Sequence, residues 1–105
     1  MISFCVIYRW EVSPGKEEQF QIAWNELTHE YKEQHGGLGS RLHKASDGTW
    51  LAYAQWPSRD AWSQAEITSE RGLLAMQRLQ DAVVQRFEPV LLEPIADLLE
   101  VSSND

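Results

Sequence analysis

Five side chains in this sequence have the chemistry to move a proton or hold an oxyanion beside aromatic neighbours: Tyr8, Arg9, Arg41, His43 and Tyr53. His43 is the best base of the set, because an imidazole with an unperturbed pKa of about 6.5 exchanges its proton near neutral pH. Tyr8 can hydrogen-bond a phenolate or quinone oxygen, and Trp24, Trp50, Trp56 and Trp62 offer faces on which a flat ring can stack. Such a set would take a proton from a weakly acidic aromatic compound and hold the anion in an apolar pocket. The pocket would be bounded by Tyr8, Trp24, His43, Trp56, Trp62 and Met76, with Tyr53 as a further substrate contact. Plainer roles compete. His43 also reads as an exposed strand histidine beside a hairpin, Tyr8 as a half-buried core tyrosine, and Trp24 and Trp62 as core packing. His29 and His35 fall on the outer face and at the C-terminal end of a helix, where the dipole favours a cation.

These residues must be positioned by a strand that turns directly into a helix. Trp50-Leu51-Ala52-Tyr53-Ala54-Gln55-Trp56 reads as a strand, and Pro57, with no N–H for a ladder, ends it. Ser58 is a natural N-cap and Asp60 sits in the first turn of a helix over 58–65. Ala52 and Ala54 remove volume beside large aromatics, which permits either close approach of a helix or a cavity.

The rest of the chain covers this strand. Residues 2–12 alternate, with Ile2, Phe4, Val6, Tyr8, Trp10 and Val12 on one face and Cys5, Ile7 and Arg9 on the other. From Gly15 to about Gln34, Phe20, Trp24, Leu27 and Tyr31 recur at helical spacing. Ser40 to Ala45 is a short strand. Asp47-Gly48 predicts a two-residue turn that sets Ser46 against Thr49 and His43 against Ala52, so that His43 shares the face of Trp50, Ala52, Ala54 and Trp56. Ser69 caps a second long helix running to about Phe87, with Leu73, Met76, Leu79, Val83 and Phe87 as its stripe and Pro89 closing it. Residues 90–101 form the last strand, at an edge or bulged because of Pro94, and 102–105 form a frayed tail. The order is strand, helix, strand, strand, helix, strand. This is an α+β fold, a ferredoxin-like βαββαβ sandwich with an antiparallel sheet, its first and third strands central.

At 105 residues the chain makes one domain. A hydrophobic content of 43% and a charged content of 24% match a soluble globular protein, and the net charge of −7 argues against nucleic acid or an anionic membrane surface as partner. The lone Cys5 fits a reducing compartment, and no apolar run or signal-like N-terminus is present, so the expected location is the cytoplasm. The three histidines have no ligand spacing on one element, so no metal is expected. The glycines of His35-Gly36-Gly37-Leu38-Gly39 follow a helix and do not open one, which excludes a nucleotide loop.

The pattern Val6-Ile7-Tyr8-Arg9-Trp10, Pro14-Gly15, a helix, Gly39-Ser40 and then Gln55-Trp56-Pro57-Ser58-Arg59-Asp60-Ala61-Trp62 resembles the antibiotic biosynthesis monooxygenase family over residues 2 to 100. The resemblance implies a homodimeric α/β barrel. It also implies a cofactor-independent monooxygenase acting on a small aromatic or quinone-like compound; on that reading the residue chemistry above makes His43 the base and Tyr8 the oxyanion donor. Other readings on the same scaffold are a non-enzymatic dimeric module that binds a small apolar ligand, or isomerase or decyclase chemistry. The haem-degrading branch of the family uses an Asn, a Trp and a His. The matching positions here hold Tyr8, Ala65 and Ala75, and a methyl group cannot ligate iron.

Overall fold

The computed structural model describes residues 2–99. Its elements in chain order are β1 (Phe4–Val12), α1 (Glu17–Gln34), β2 (Ser40–Lys44), β3 (Trp50–Trp56), α2 (Arg59–Gln64), α3 (Glu70–Asp81), β4 (Val83–Arg86) and β5 (Val90–Leu92). The sheet is antiparallel in the order β2-β3-β1-β4, and β5 pairs with the other half of β1. This is the expected ferredoxin-like α+β arrangement, with β1 and β3 side by side at its centre. The pairing of Val6 with Ala54 and of Tyr8 with Ala52 puts the apolar alternation of both strands on one face. The helices cover that face. Phe20 of α1 is fully buried against Trp10, Ala52 and Ala82, and Trp62 of α2 packs on Phe4, Val6 and Trp56. Ala52 therefore permits close helix approach.

The hairpin differs from the two-residue turn expected from Asp47-Gly48. Ala45 N–H donates to the Thr49 carbonyl at 2.8 Å, leaving three residues, Ser46 to Gly48, in the loop. A two-residue type I′ turn would need positive φ at both central positions. Here only Gly48 takes it, at φ +91°, while Asp47 uses its carboxylate to accept from Thr49 N–H and Oγ1 at 2.9 and 2.7 Å. The extra residue shifts β2 by one, so Leu42 opposes Ala52 and His43 opposes Leu51. Ser40 and Leu42 thereby share the helix face, and Arg41 and His43 the opposite, open face.

The last third also departs from expectation. Helix α3 begins at the Ser69 cap, whose hydroxyl accepts from Gly72 N–H at 3.0 Å, but it ends at Asp81 and not near Phe87. Val83 and Val84, β-branched and suited to a strand, open β4 on the free edge of β1. The inward side of α3 is Gly72, Ala75, Met76 and Leu79; Leu73 is exposed. Phe87 lies beyond the helix, with the Arg9 guanidinium 4.1 Å from its ring centroid, and Pro89 interrupts the edge between β4 and β5 and does not cap a helix. The expected last strand over 90–101 is strand only at Val90–Leu92; its final positions and the tail 102–105 lie outside the described residues.

Helices α1 and α3 are joined by a pin at Gly72. The Ser69 hydroxyl that caps α3 also donates to the Glu30 carboxylate of α1. A Cβ at position 72 would stand 2.5 Å from Ile67 Cγ2 and 2.7 Å from Glu30 Oε2. Gly72→Ala should therefore destabilise the fold by about 1–3 kcal/mol despite alanine's better helix propensity. At roughly 4–8 °C per kcal/mol for a domain of this size, thermal unfolding by circular dichroism measures it directly, and an unchanged or raised Tm would show that the two helices part more readily than this packing implies.

Candidate functional site

Between the helix face of the sheet and α1, α2 and α3 lies a cleft of about 480 Å³. Its floor is Ala54, whose methyl leaves open the space that larger residues fill elsewhere on β3. Ala54 thus makes room for a cavity, the other outcome open to the alanine pair. Tyr8 and Trp56 stand beside Ala54 on the sheet, Trp24 and Tyr31 reach in from α1, Trp62 from α2 and Met76 from α3. Helical spacing explains the convergence: Trp24 and Tyr31 are two turns apart on one stripe of α1. Trp62 is aimed by the corner at Pro57. The Ser58 hydroxyl accepts from Ala61 N–H at 3.0 Å and starts α2 at the end of β3.

The polar centre of the cleft is the Tyr8 hydroxyl, which accepts a hydrogen bond from Trp62 Nε1 at 2.8 Å. Burial raises the Tyr8 pKa above its ordinary value, opposed by the Trp62 hydrogen bond and by the positive charge of Arg86. Tyr31 is raised in the same way, by burial and then by Tyr8, and lowered by Arg86. At neutral pH both phenols are protonated, so Tyr8 accepts from Trp62 and keeps its own proton to donate to a ligand. The charged side chains lining the cleft are Lys32 and Arg86; no carboxylate or imidazole of the described residues lines it.

Among the residues singled out from sequence, Tyr8, Trp24, Trp56, Trp62 and Met76 are brought together here. His43 and Tyr53 are not. His43 is exposed on the open face, its Nδ1 3.3 Å from the Leu51 carbonyl, because the three-residue hairpin turned β2 over. Tyr53 lies on that same face, its hydroxyl 3.0 Å from the buried Cys5 Sγ; this hydrogen bond is the first cause, and burial the second, of its raised pKa. Several polar contributors were missed, among them Ser40, Arg86 and Lys32. Ser40 and Arg86 come to the cleft only through the true hairpin register and the early end of α3. Lys32 follows Tyr31 at the end of α1, where the outward charge pattern hid it. The described residues hold no cluster of three or more His, Cys, Asp and Glu able to bind a metal ion, and no helix long and apolar enough to cross a membrane.

Tyr8 carries a measurable pH signature. Burial holds its folded-state pKa above the unfolded value of about 10, so the stability it contributes is complete below about pH 10 and is lost as pH rises through the folded-state pKa. Tyr8→Phe should reduce the loss of stability seen above pH 10 in alkaline urea titrations. At neutral pH the same variant leaves Trp62 Nε1 without its acceptor, at a cost of about 1–2 kcal/mol. A variant as stable as the parent at pH 7, with the same alkaline slope, would mean that the Tyr8–Trp62 bond does not persist in solution.

A family model described as antibiotic biosynthesis monooxygenase matches residues 3–71, more than half of the chain. No curated protein matches the sequence. Among solved structures, a mutant of SnoaB, a cofactor-independent oxygenase from Streptomyces nogalater, superposes with a TM-score of 0.74 at 20% identity, covering 95% of this chain and 100% of that one. Rv0793 from Mycobacterium tuberculosis gives 0.71 at 15% identity over 91% and 98% of the two chains. A conserved protein from Methanosarcina mazei Go1 gives 0.71 at 16% identity over 89% and 93%. At these identities the likeness is one of fold. The family match covers β1, α1, the Trp56-Pro57-Ser58 corner and Trp62, which build most of the cleft, and the chain belongs to the antibiotic biosynthesis monooxygenase family.

Proposed function

We propose that the cleft takes a small aromatic or quinone-like compound as its anion and that the protein is a cofactor-independent monooxygenase of that compound. The observation that carries this reading is the Tyr8 hydroxyl, held by Trp62 Nε1 and still able to donate, among aromatic rings and beside a cationic Arg86. The substrate is a phenol or quinol. Loss of its proton leaves an electron-rich ring whose carbon attacks molecular oxygen, forming a C–O bond and a hydroperoxide. Cleavage of the O–O bond with loss of the ring hydrogen leaves a carbonyl on the ring and releases the second oxygen as water. All the electrons come from the substrate, so the balance needs no cofactor. Tyr8 donates to the substrate oxyanion, and Arg86 and Lys32 favour the anion, which lowers the acidity required of the substrate. With no imidazole or carboxylate in the lining, the first proton leaves to water. His43 has no part in this proposal, because its ring is on the opposite face of the sheet.

Oxygen uptake with a panel of hydroquinones and naphthohydroquinones tests it. Tyr8→Phe should lower kcat by about 10²–10³, the usual loss for one donor to a developing oxyanion, and His43→Ala should leave it unchanged. If His43→Ala abolishes turnover and Tyr8→Phe does not, the assignment of roles is wrong. Saturable quenching of the cleft tryptophans by the same compounds, with no oxygen consumed by any of them, would favour a binding module.

The same reading includes a homodimer formed through the open sheet face. Support comes from apolar surface with nothing over it: Ile95, Leu98 and Leu99 are 92%, 96% and 74% exposed beside that face. Sedimentation at micromolar concentration should give twice the 12.1 kDa chain mass, and a solely monomeric species would overturn it.

A further inference from the structure

The Tyr31 hydroxyl has no task within the fold. The Tyr31 ring has one: it packs on the buried cluster of Phe4, Val6, Ala54 and Trp56, meeting Trp56 edge to face with centroids 5.7 Å apart, and on Leu27, Ile67 and Ala75 between α1 and α3. A phenylalanine would make the same contacts. The oxygen itself bonds to none of the described residues, and it is not walled in: the fully enclosed side-chain oxygen without a partner among them is that of Ser40. The Tyr31 hydroxyl is therefore open, on a half-buried side chain that lines the cleft. Its neighbours place it at the polar centre. Tyr8 and Trp62 pack on the same buried cluster. A negative charge on Tyr8 would raise the Tyr31 pKa, and the charge of Arg86 lowers that of both phenols. No hydrogen bond joins the two hydroxyls, so each keeps its proton for a third group. The backbone fixes the position: the Tyr31 carbonyl accepts from His35 N–H at 3.1 Å and from Gly37 N–H at 3.0 Å, closing the last turn of α1.

We infer that Tyr31 is a second donor to the oxyanion held by Tyr8, so that one ligand oxygen takes a hydrogen bond from the sheet and another from α1. This rests on the proposed anionic aromatic occupant and adds a catalytic residue to it. An oxyanion accepts from more than one donor at once, and Tyr8 supplies only one O–H. Trp62 cannot supply the second, because its single N–H is spent on Tyr8. Burial keeps Tyr31 protonated at neutral pH, so it donates without ionising. Hydrogen bonds to a charged oxygen are about twice as strong as those to a neutral one, so two phenols favour the phenolate over the phenol and promote loss of the substrate proton to water. In the free protein the hydroxyl makes no bond that its loss would remove, and its effect is confined to the bound state.

Two probes separate the donor from its ring: pentafluorophenol, which is ionised at neutral pH and too electron-poor to consume oxygen, and its methyl ether, which carries no charge. Fluorine NMR titration gives both affinities. The parent protein should bind the phenolate more tightly than the ether. Tyr31→Phe should weaken the phenolate by about ten- to a hundredfold, the usual yield of one hydrogen bond to a charged group. It should leave the ether and the Tm unchanged. Tyr8→Phe should weaken the phenolate as well, and since the probe has a single oxygen, losses in both variants put both donors on it. An unweakened phenolate in Tyr31→Phe overturns the second donor, and a loss confined to Tyr8→Phe leaves the anion site in place without it. Equal losses for phenolate and ether overturn it too, since they report shape and not donation. A lowered Tm for Tyr31→Phe does the same, because it shows that the hydroxyl already has a partner in the free protein. An ether bound as tightly as the phenolate by the parent protein overturns the anionic occupant, and the second donor with it.

Discussion

The hydrogen bond from Trp62 to Tyr8 joins residues 54 positions apart and makes a single site of what would otherwise be a strand and a surface helix. Its donor stands on α2, a helix of six residues that is too short to hold its own conformation. That helix exists because Pro57 ends β3 and Ser58 caps the next turn, and it keeps its place because Trp62 also packs on Phe4 with ring centroids 5.6 Å apart. The indole is thus held at its apolar body by the sheet and at its polar tip by a phenol. Burial of the phenol is tolerable because the indole satisfies its oxygen, and burial of the indole because the phenol accepts its N–H. The strand, the corner and the cleft depend on this mutual arrangement.

Side-chain volume decides where the sheet face is filled and where it is hollow. Toward one end, Trp10, Phe20 and Trp50 meet edge to face, with centroids 5.1 and 5.7 Å apart, over the methyl of Ala52. Two residues along β3, Ala54 lies in the cleft, where Trp24, packed toward the Ala52 end, and Tyr31, packed toward the Ala54 end, form part of the lining from α1. The same residue type therefore serves opposite ends on one strand. What differs is the side chain facing it from the helix.

Much of this was legible in the sequence, and the exceptions have definite causes. Period-2 alternation placed Tyr8, Ala54 and Trp56 on one face, and helical spacing placed Trp24 and Met76 toward it, because both signals repeat along a whole element. His43 failed because its orientation rests on one turn. Asp47 preferred an Asx bond to its own backbone over positive φ, and a single added residue sent the imidazole to the other face. Ser40 failed with the same turn, and Arg86 with its element: the apolar stripe of α3 runs on into Val83 without a break in hydrophobicity, although the Val83-Val84 pair, β-branched throughout, was a strand signal within that stripe. Lys32 was hidden by its neighbours, since a lysine among glutamates reads as a solvated face.

The charges lining the cleft argue for the sign of its occupant. The chain carries 16 acidic side chains against 9 basic ones, yet the ionised groups reaching the cleft are a lysine and an arginine. A neutral ligand would gain little from that choice. An anion gains in two ways: from Arg86, and from the apolar rings around it, which lower the local dielectric and strengthen each remaining interaction. The raised pKa of Tyr8 is the counterpart of the same environment. A buried phenol resists ionising even with Arg86 nearby, so the site does not neutralise its own cation. Tyr8 stays neutral and donating, and Arg86 stays without a fixed counter-ion within the lining. Both conditions favour a negative charge brought in from outside.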